Sequence, residues 1–143
     1  MVYHFKIHRG SQGFWATCVE LPGCQTQGRT MKDLRQNARE ALNLFLDEPP
    51  ESELLFSLPS APSKQRDIID VEVDPQVAFA FYLRRLRKKH KLTQREVAAR
   101  LGFNNLYSYQ RLEASKTANP QLLTLNKLKC LFSDFDLNEL LAA

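Results

Sequence analysis

The 143-residue chain has only three cysteines, Cys18, Cys24 and Cys130, with no CxxC pair among them. Structural metal sites need four ligands at tight spacing, and a disulfide framework normally needs even pairing. The cysteines therefore read as small buried apolar residues or free thiols, not as ligands or nucleophiles. The histidines are also scarce: His4, His8 and His90 lie near neither one another nor a clustered carboxylate in the sequence. No metal site is legible, and no cofactor is expected. There is no apolar run approaching the ~18 residues needed to span a bilayer. The opening Met1-Val2-Tyr3-His4-Phe5-Lys6 lacks the form of a secretory signal, so a cytoplasmic protein is expected. At 43% hydrophobic and 25% charged residues the composition is close to the soluble globular average, which excludes wholesale disorder.

The length suits one ordinary domain or two small ones, each half of about 60 to 75 residues being only marginally stable alone. Charge is unevenly spread. The formal net charge is +4, from 20 Lys+Arg against 16 Asp+Glu. Within residues 84–116 ten basic side chains (Arg84, Arg85, Arg87, Lys88, Lys89, Lys91, Arg95, Arg100, Arg111 and Lys116) face only Glu96 and Glu113, a local excess of 10 − 2 = +8. Such an excess suits a polyanion, because each phosphate neutralised releases condensed counterions. A solvated helical face is the competing reading of any basic run.

The first half reads as sheet plus helix. Tyr3, Phe5 and Ile7 alternate with Val2, His4, Lys6 and His8, a period of two. Gly10-Ser11-Gln12-Gly13 is a turn, and Phe14 to Val19 is rich in β-favouring types, giving a hairpin. Leu21-Pro22-Gly23 breaks that strand, and Cys24–Gln27 makes a short third one. Thr30 and Asp33 have capping-box spacing, followed by Leu34, Ala38, Ala41, Leu42 and Phe45 at helical intervals up to Pro49-Pro50. Residues 47–67, with four prolines, read as a long loop or linker. Ile69, Val71 and Val73 then alternate with Asp70, Glu72 and Asp74 as a half-buried strand that must join the first sheet. The module is β-β-β-α-β, over residues 1–74.

Residues 75–143 read as five helices. Asp74-Pro75 opens one reaching about His90, and Thr93-Gln94-Arg95-Glu96 is a second capping box, its helix stopped by Gly102. A helix from about Leu106 to Ala114 follows. Asn119-Pro120 caps a fourth, and Asp136 starts a short last one. The fold class expected is α+β, a β-β-β-α-β domain followed by a five-helix bundle.

Two short helices joined by a tight turn beside a basic stretch form the arrangement that lays a second helix in the DNA major groove. Leu92-Thr93-Gln94-Arg95-Glu96-Val97-Ala98-Ala99-Arg100-Leu101-Gly102 resembles the LTQxELAxxLG signature of phage-repressor-like (Xre/Cro) domains. Tyr109-Gln110-Arg111-Leu112-Glu113 resembles that family's IxRxE helix end, and Asn119-Pro120 with the leucines after it matches its NPxxxxLxxLA segment. The likeness covers residues 77–142 and implies a helix-turn-helix. It puts Gln94 at a phosphate and against the second helix; Tyr107, Ser108, Gln110 and Arg111 on or near the recognition helix; and Lys116 and Thr117 beside the DNA backbone. Arg95 and Asn105 complete the expected DNA-binding set, while Tyr109 and Leu112 face the core. The turn through Asn104 and Asn105 is about one residue longer than the family pattern, which leaves open which of Asn105 to Ser108 begins the helix. Some such bundles serve only as dimerisation modules, and the +8 stretch favours DNA.

In the first half, Gly13 through Leu21-Pro22-Gly23-Cys24-Gln25-Thr26-Gln27-Gly28, with Thr30, Asn37-Ala38 and Glu40-Ala41-Leu42, resembles the HicB antitoxin family over residues 2–48 and the strand at 68–73. The resemblance implies a partial ribonuclease-H-like fold. It also implies an antitoxin role in a bacterial type II toxin–antitoxin pair: direct binding of a small HicA-like ribonuclease toxin that cleaves messenger RNA, and repression of the protein's own operon through operator double-stranded DNA. Toxin contact is expected on the sheet face or edge around Phe14, Trp15, Thr17 and the 21–27 segment, Gln25 included. Phe14-Trp15 is at least as good a core signal, since Trp mostly buries. Repressor-like modules dimerise to meet half-sites about 34 Å apart, so a homodimer or higher oligomer is expected. No enzyme is expected: metal-dependent nucleases need converging carboxylates, and Glu20, Asp33, Glu40, Asp47 and Glu48 include no DxE strand motif. The alternative is a stand-alone helix-turn-helix transcription regulator whose N-terminal domain senses a ligand, with a ligand-sized pocket there.

Overall fold

A computed structural model of the chain describes residues 1–62 and 64–141. It is an α+β protein in two compact units: Met1–Leu46 with Phe56–Asp74, and Asp47–Leu55 with Pro75–Leu141. Among the described residues no helix is long and apolar enough to cross a membrane.

In the first unit, β1 (Val2–Gly10), β2 (Gly13–Cys18), β3 (Gln25–Gly28) and β4 (Ile68–Glu72) form an antiparallel sheet in the order β3-β2-β1-β4. The 68–73 segment thus joins the sheet its alternation requires, as an edge strand against β1 with Phe5 opposite Ile69 and Tyr3 opposite Val71. On one face Tyr3, Phe5, Ala16, Cys18, Ile69 and Val71 are buried. Helix α1 (Met31–Leu46) supplies Leu34, Ala38, Leu42 and Leu46, all fully buried at intervals of four. Burying four such side chains contributes on the order of 1.5–3 kcal/mol for each large one. The helix starts where the capping box requires: Asp33 N–H donates to Thr30 Oγ1 at 3.1 Å, and Thr30 N–H to Asp33 Oδ2 at 3.2 Å. It ends at Leu46, three residues short of the prolines.

Two glycines set the hairpin edge close to that helix. A Cβ on Gly28 would lie 2.4 Å from the Leu34 nitrogen, and one on Gly13, at φ +136°, would lie 2.6 Å from the Gly28 oxygen. No side chain fits either place, so β3 runs directly under the first turn of α1.

The second unit contains α2 (Pro75–Lys89), α3 (Gln94–Arg100), α4 (Leu106–Gln110) and α5 (Leu122–Leu131). The expected fifth helix is a single 3-10 turn, Leu137–Glu139, with the Asp136 side chain capping it. Two other expectations are corrected. Helix α4 stops at Gln110, because the Leu112 and Glu113 amides bond to the carbonyls of Tyr109 and Gln110, three residues back. Helix α5 is preceded by Gln121, which makes no side-chain cap bond, so Asn119 does not cap it.

Both α2 and α3 end in Schellman motifs, with N–H to carbonyl bonds from Leu92 to Arg87 and from Phe103 to Ala98, each 3.0 Å. The turn residue of α3 is Gly102, at φ +77°; that of α2 is Lys91, at φ 54°.

Residues 47–62 carry no regular strand or helix, as a long loop should, yet they are shared between the units. Phe56 rests on Phe45 with ring centroids 4.9 Å apart, the Ser57 carbonyl accepts from the Tyr3 hydroxyl at 2.8 Å, and Ser60 reaches Glu20. Residues 47–55 belong to the second unit.

Candidate nucleic-acid interface

The register of α3 and α4 is held from inside. Arg87 on α2 donates from Nε to Glu113 Oε1 at 2.6 Å and from its terminal guanidinium nitrogen to Oε2 at 3.0 Å. The Tyr109 hydroxyl also donates to Glu113, and Gln94 Nε2 donates to Oε2 at 2.9 Å. Gln110 Nε2 then donates to Gln94 Oε1 at 3.2 Å. One buried carboxylate thus ties together the helix before the pair, the first turn of α3 and the end of α4. Burial opposes the Arg87 charge, but the Glu113 carboxylate outweighs it and raises the guanidinium above its ordinary range. Burial, with the charge of Glu113 added, drives the Tyr109 phenol far upward, so it remains a donor.

Helix starts are equally specific. Thr93 and Glu96 form a complete capping box on α3, and the bond from the Thr93 amide lowers the Glu96 carboxyl. Asn105 is the N-cap of α4: its Oδ1 accepts from the Ser108 amide at 2.8 Å and from the Ser108 hydroxyl at 2.9 Å. This resolves the start of the helix to Leu106, and it engages the side-chain oxygen of Asn105 and the hydroxyl of Ser108 with each other.

Of the expected contact residues, Arg95, Asn105, Tyr107, Gln110, Arg111 and Lys116 are exposed, while Gln94 and Ser108 are half-buried. Tyr107 is 67% exposed, unusual for so large a ring. Tyr109 and Leu112 are buried as expected, and the Thr117 hydroxyl bonds to the Arg111 carbonyl at 2.8 Å. The charge excess is partly internal: Arg84 and Arg87 are buried, and Lys89 pairs with Asp134 at 2.7 Å. What remains turned outward, Arg95, Arg100, Arg111 and Lys116 among others against Glu96, is still predominantly basic.

The first unit also departs from its reading. Trp15 is 44% exposed and stacks on His8 across the hairpin, with centroids 3.8 Å apart. It is a surface aromatic, not core, because its register places it with His8 and Gln27 on the face of the sheet away from Tyr3 and Phe5. Phe14 and Thr17 are half-buried, and Gln25 is exposed. An open cleft of about 1030 Å³ runs around the β3 edge, lined by Trp15, Gln25, Gln27, Arg29, Asp33 and Asn37 among others.

His4 is not isolated, contrary to its place in the sequence. It is buried with Glu20, whose carboxylate accepts from the His4 ring and amide and from the Ser60 amide and hydroxyl. Burial works against the Glu20 charge, but these bonds outweigh it and lower its carboxyl. Cys18 and Cys24 are buried and Cys130 is exposed. The other carboxylates scatter: Asp33 caps α1, Glu40 takes the Gln36 amide, and Asp47 and Glu48 belong to the second unit. Among the described residues no three His, Cys, Asp or Glu side chains are grouped to hold a metal ion.

Neither a scan against protein-family models nor a search of curated proteins finds a match to this chain.

Proposed function

We propose that the protein is a HicB-like antitoxin: its first unit, a partial ribonuclease-H-like domain, binds and blocks a small messenger-RNA-cleaving toxin, and its second, an Xre/Cro-like helix-turn-helix, represses its own operon at operator DNA. The observation that carries this reading is the Glu113 hub. A buried carboxylate joining Arg87, Tyr109 and Gln94 fixes two short helices at a set angle, which readout of base edges by the second helix requires. The excess of exposed basic residues on the same elements supplies the phosphate attraction. The exposed Trp15–His8 stack is a surface aromatic of the kind that anchors protein interfaces.

Co-expression with the short reading frame beside its gene tests the antitoxin reading. Growth rescue and a co-purifying complex are expected, and Trp15→Ala should weaken that complex while leaving the fold intact. Absence of both rescue and complex would sink the antitoxin role.

The cleft around the β3 edge favours a second reading, a regulator that senses a small ligand. Its amide-rich walls, with the aromatics Phe14 and Trp15, one cation and one carboxylate, suit a polar molecule. That reading expects operator affinity to change with a metabolite and no toxin partner at all.

A further inference from the structure

The second unit includes a stretch far from the rest of it in sequence, Asp47–Leu55, which carries Asp47, Glu48, Glu51 and Glu53 and no basic residue. It lies against the most basic part of the unit. A cleft of about 590 Å³ has Pro50, Glu51 and Glu53 on one side and Arg87, Lys88, Lys91 and the α3 entry, Thr93 to Arg95, on the other. Asp47 and Glu48 act in the same way on Arg84, opposing the effect of its burial.

Two lysines of this cleft are held at a cost. The Lys88 ammonium is buried and has no hydrogen-bond partner among the described residues. Burial lowers its pKa, and the charge of Glu53 is the largest influence in the other direction. An unsatisfied buried polar group of this kind destabilises the folded state. Lys91 occupies the left-handed turn position of its Schellman motif, where the neighbouring motif has Gly102. Side chains are disfavoured there by the approach of Cβ to the following carbonyl oxygen. Neither feature helps the fold; both keep cations in the cleft.

We propose that the Asp47–Leu55 segment is an internal competitor for DNA: Glu51 and Glu53 screen a cleft whose lysines, Lys88 and Lys91, take sugar-phosphate oxygens when the segment is displaced. The inference rests on the DNA-binding reading above. The cleft includes Gln94 and Arg95, so a phosphodiester backbone running past the α3 entry meets these lysines next. A phosphate oxygen gives the Lys88 ammonium the acceptor it lacks, and the carboxylates, already exposed, lose no hydration on displacement. Intrinsic affinity for every DNA sequence is lowered equally, because backbone contacts carry no sequence information. The segment therefore suppresses non-specific binding in absolute terms, and repression depends on the additional base contacts of α4.

The test uses the full chain in fluorescence anisotropy with two duplexes, one from upstream of its own gene and one unrelated of equal length. Glu51→Gln/Glu53→Gln is compared with a charge-matched control in the first unit, Glu40→Gln/Glu72→Gln. Removing two exposed carboxylates, at about 0.2–1 kcal/mol each as for surface charges, corresponds to a gain of roughly 2- to 30-fold for the first variant on both duplexes. The salt slope should steepen by about 0.9 for each phosphate newly contacted. The control should stay within about twofold of wild type. Adding Lys91→Ala should remove most of the gain. No gain, or an equal gain in the control, overturns the competitor role while wild-type binding to the upstream duplex still stands. Failure of all the chains to bind either duplex at low salt overturns the DNA-binding reading and this inference with it.

Discussion

Arg87 and Glu113, 26 positions apart, are joined by two parallel hydrogen bonds inside the second unit, with side chains 8% and 0% exposed. The geometry is the bidentate fork that guanidinium and carboxylate share. Breaking it from one side leaves a buried charge alone, which costs about 3–5 kcal/mol. Glu113→Ala should therefore lower unfolding free energy by that amount in chemical denaturation. Replacing both partners with apolar residues, Arg87→Met/Glu113→Leu, should recover part of the loss but leave Tyr109 and Gln94 without their acceptor. A variant with a loss below about 1 kcal/mol would show that the hub does not hold the two helices.

Arg111 and Gln110 lie at the exposed end of α4 and differ in attachment, since Gln110 is tied to Gln94 and Arg111 is the C-cap with its side chain exposed. Arg111→Ala should weaken operator binding by about 1–3 kcal/mol if it meets a base edge. A uniform loss across sequences with a shallower salt slope would instead make it a phosphate contact. Thermal stability should change by less than about 0.5 kcal/mol, as for most surface substitutions.

Lys91 offers a separation of stability from function. Lys91→Gly removes the strain of a side chain at φ 54°, so the variant should be more stable by about 1 kcal/mol. The same change should reduce duplex binding at low salt. Thermal denaturation and anisotropy on one preparation check both signs.

Asp134 accepts from Lys89 Nζ at 2.7 Å and from His90 Nε2 at 2.8 Å. The Lys89 bond foremost, then that of His90, outweighs partial burial and lowers its carboxyl from 3.8 to about 2. A depressed carboxyl contributes stability above its unfolded value and loses it as protons bind. Wild type should therefore exceed Asp134→Asn in melting temperature above about pH 4, with the difference closing as pH falls to about 2. A difference that is constant over that window would exclude the ion pairs as its source.

Periodicity and capping chemistry made much of the fold legible. Alternation at Ile69, Val71 and Val73 placed a strand across a long loop, and the Thr30–Asp33 and Thr93–Glu96 spacings marked two helix starts that the hydrogen bonds reproduce. Less was legible where long-range polar contacts decide. Arg87 reads as one more cation in a basic run, and only the partner at 113 makes it internal. His4 and Glu20 are neighbours because β1 meets the turn after β2, as the bond from the Val19 amide to the His4 carbonyl at 2.8 Å reflects. Trp15 reads both as core and as contact surface because residue type favours burial; its register opposite His8 sets it on the face away from Tyr3 and Phe5. The role of Asn105 was hidden by the lengthened turn, although Asn three residues before Ser108 is itself a cap signal.

The interleaving of the two units has a consequence for how such a gene could be rearranged. A recombination joint at Asp74–Pro75, where a loop meets a helix, looks like a natural place to exchange one C-terminal half for another. It would leave residues 47–55 behind, attached to the wrong half and facing helices with a different charge pattern. A chimera that kept the second unit whole would need that short acidic stretch carried over together with the C-terminal half, two exchanges where the order of strands and helices suggests one.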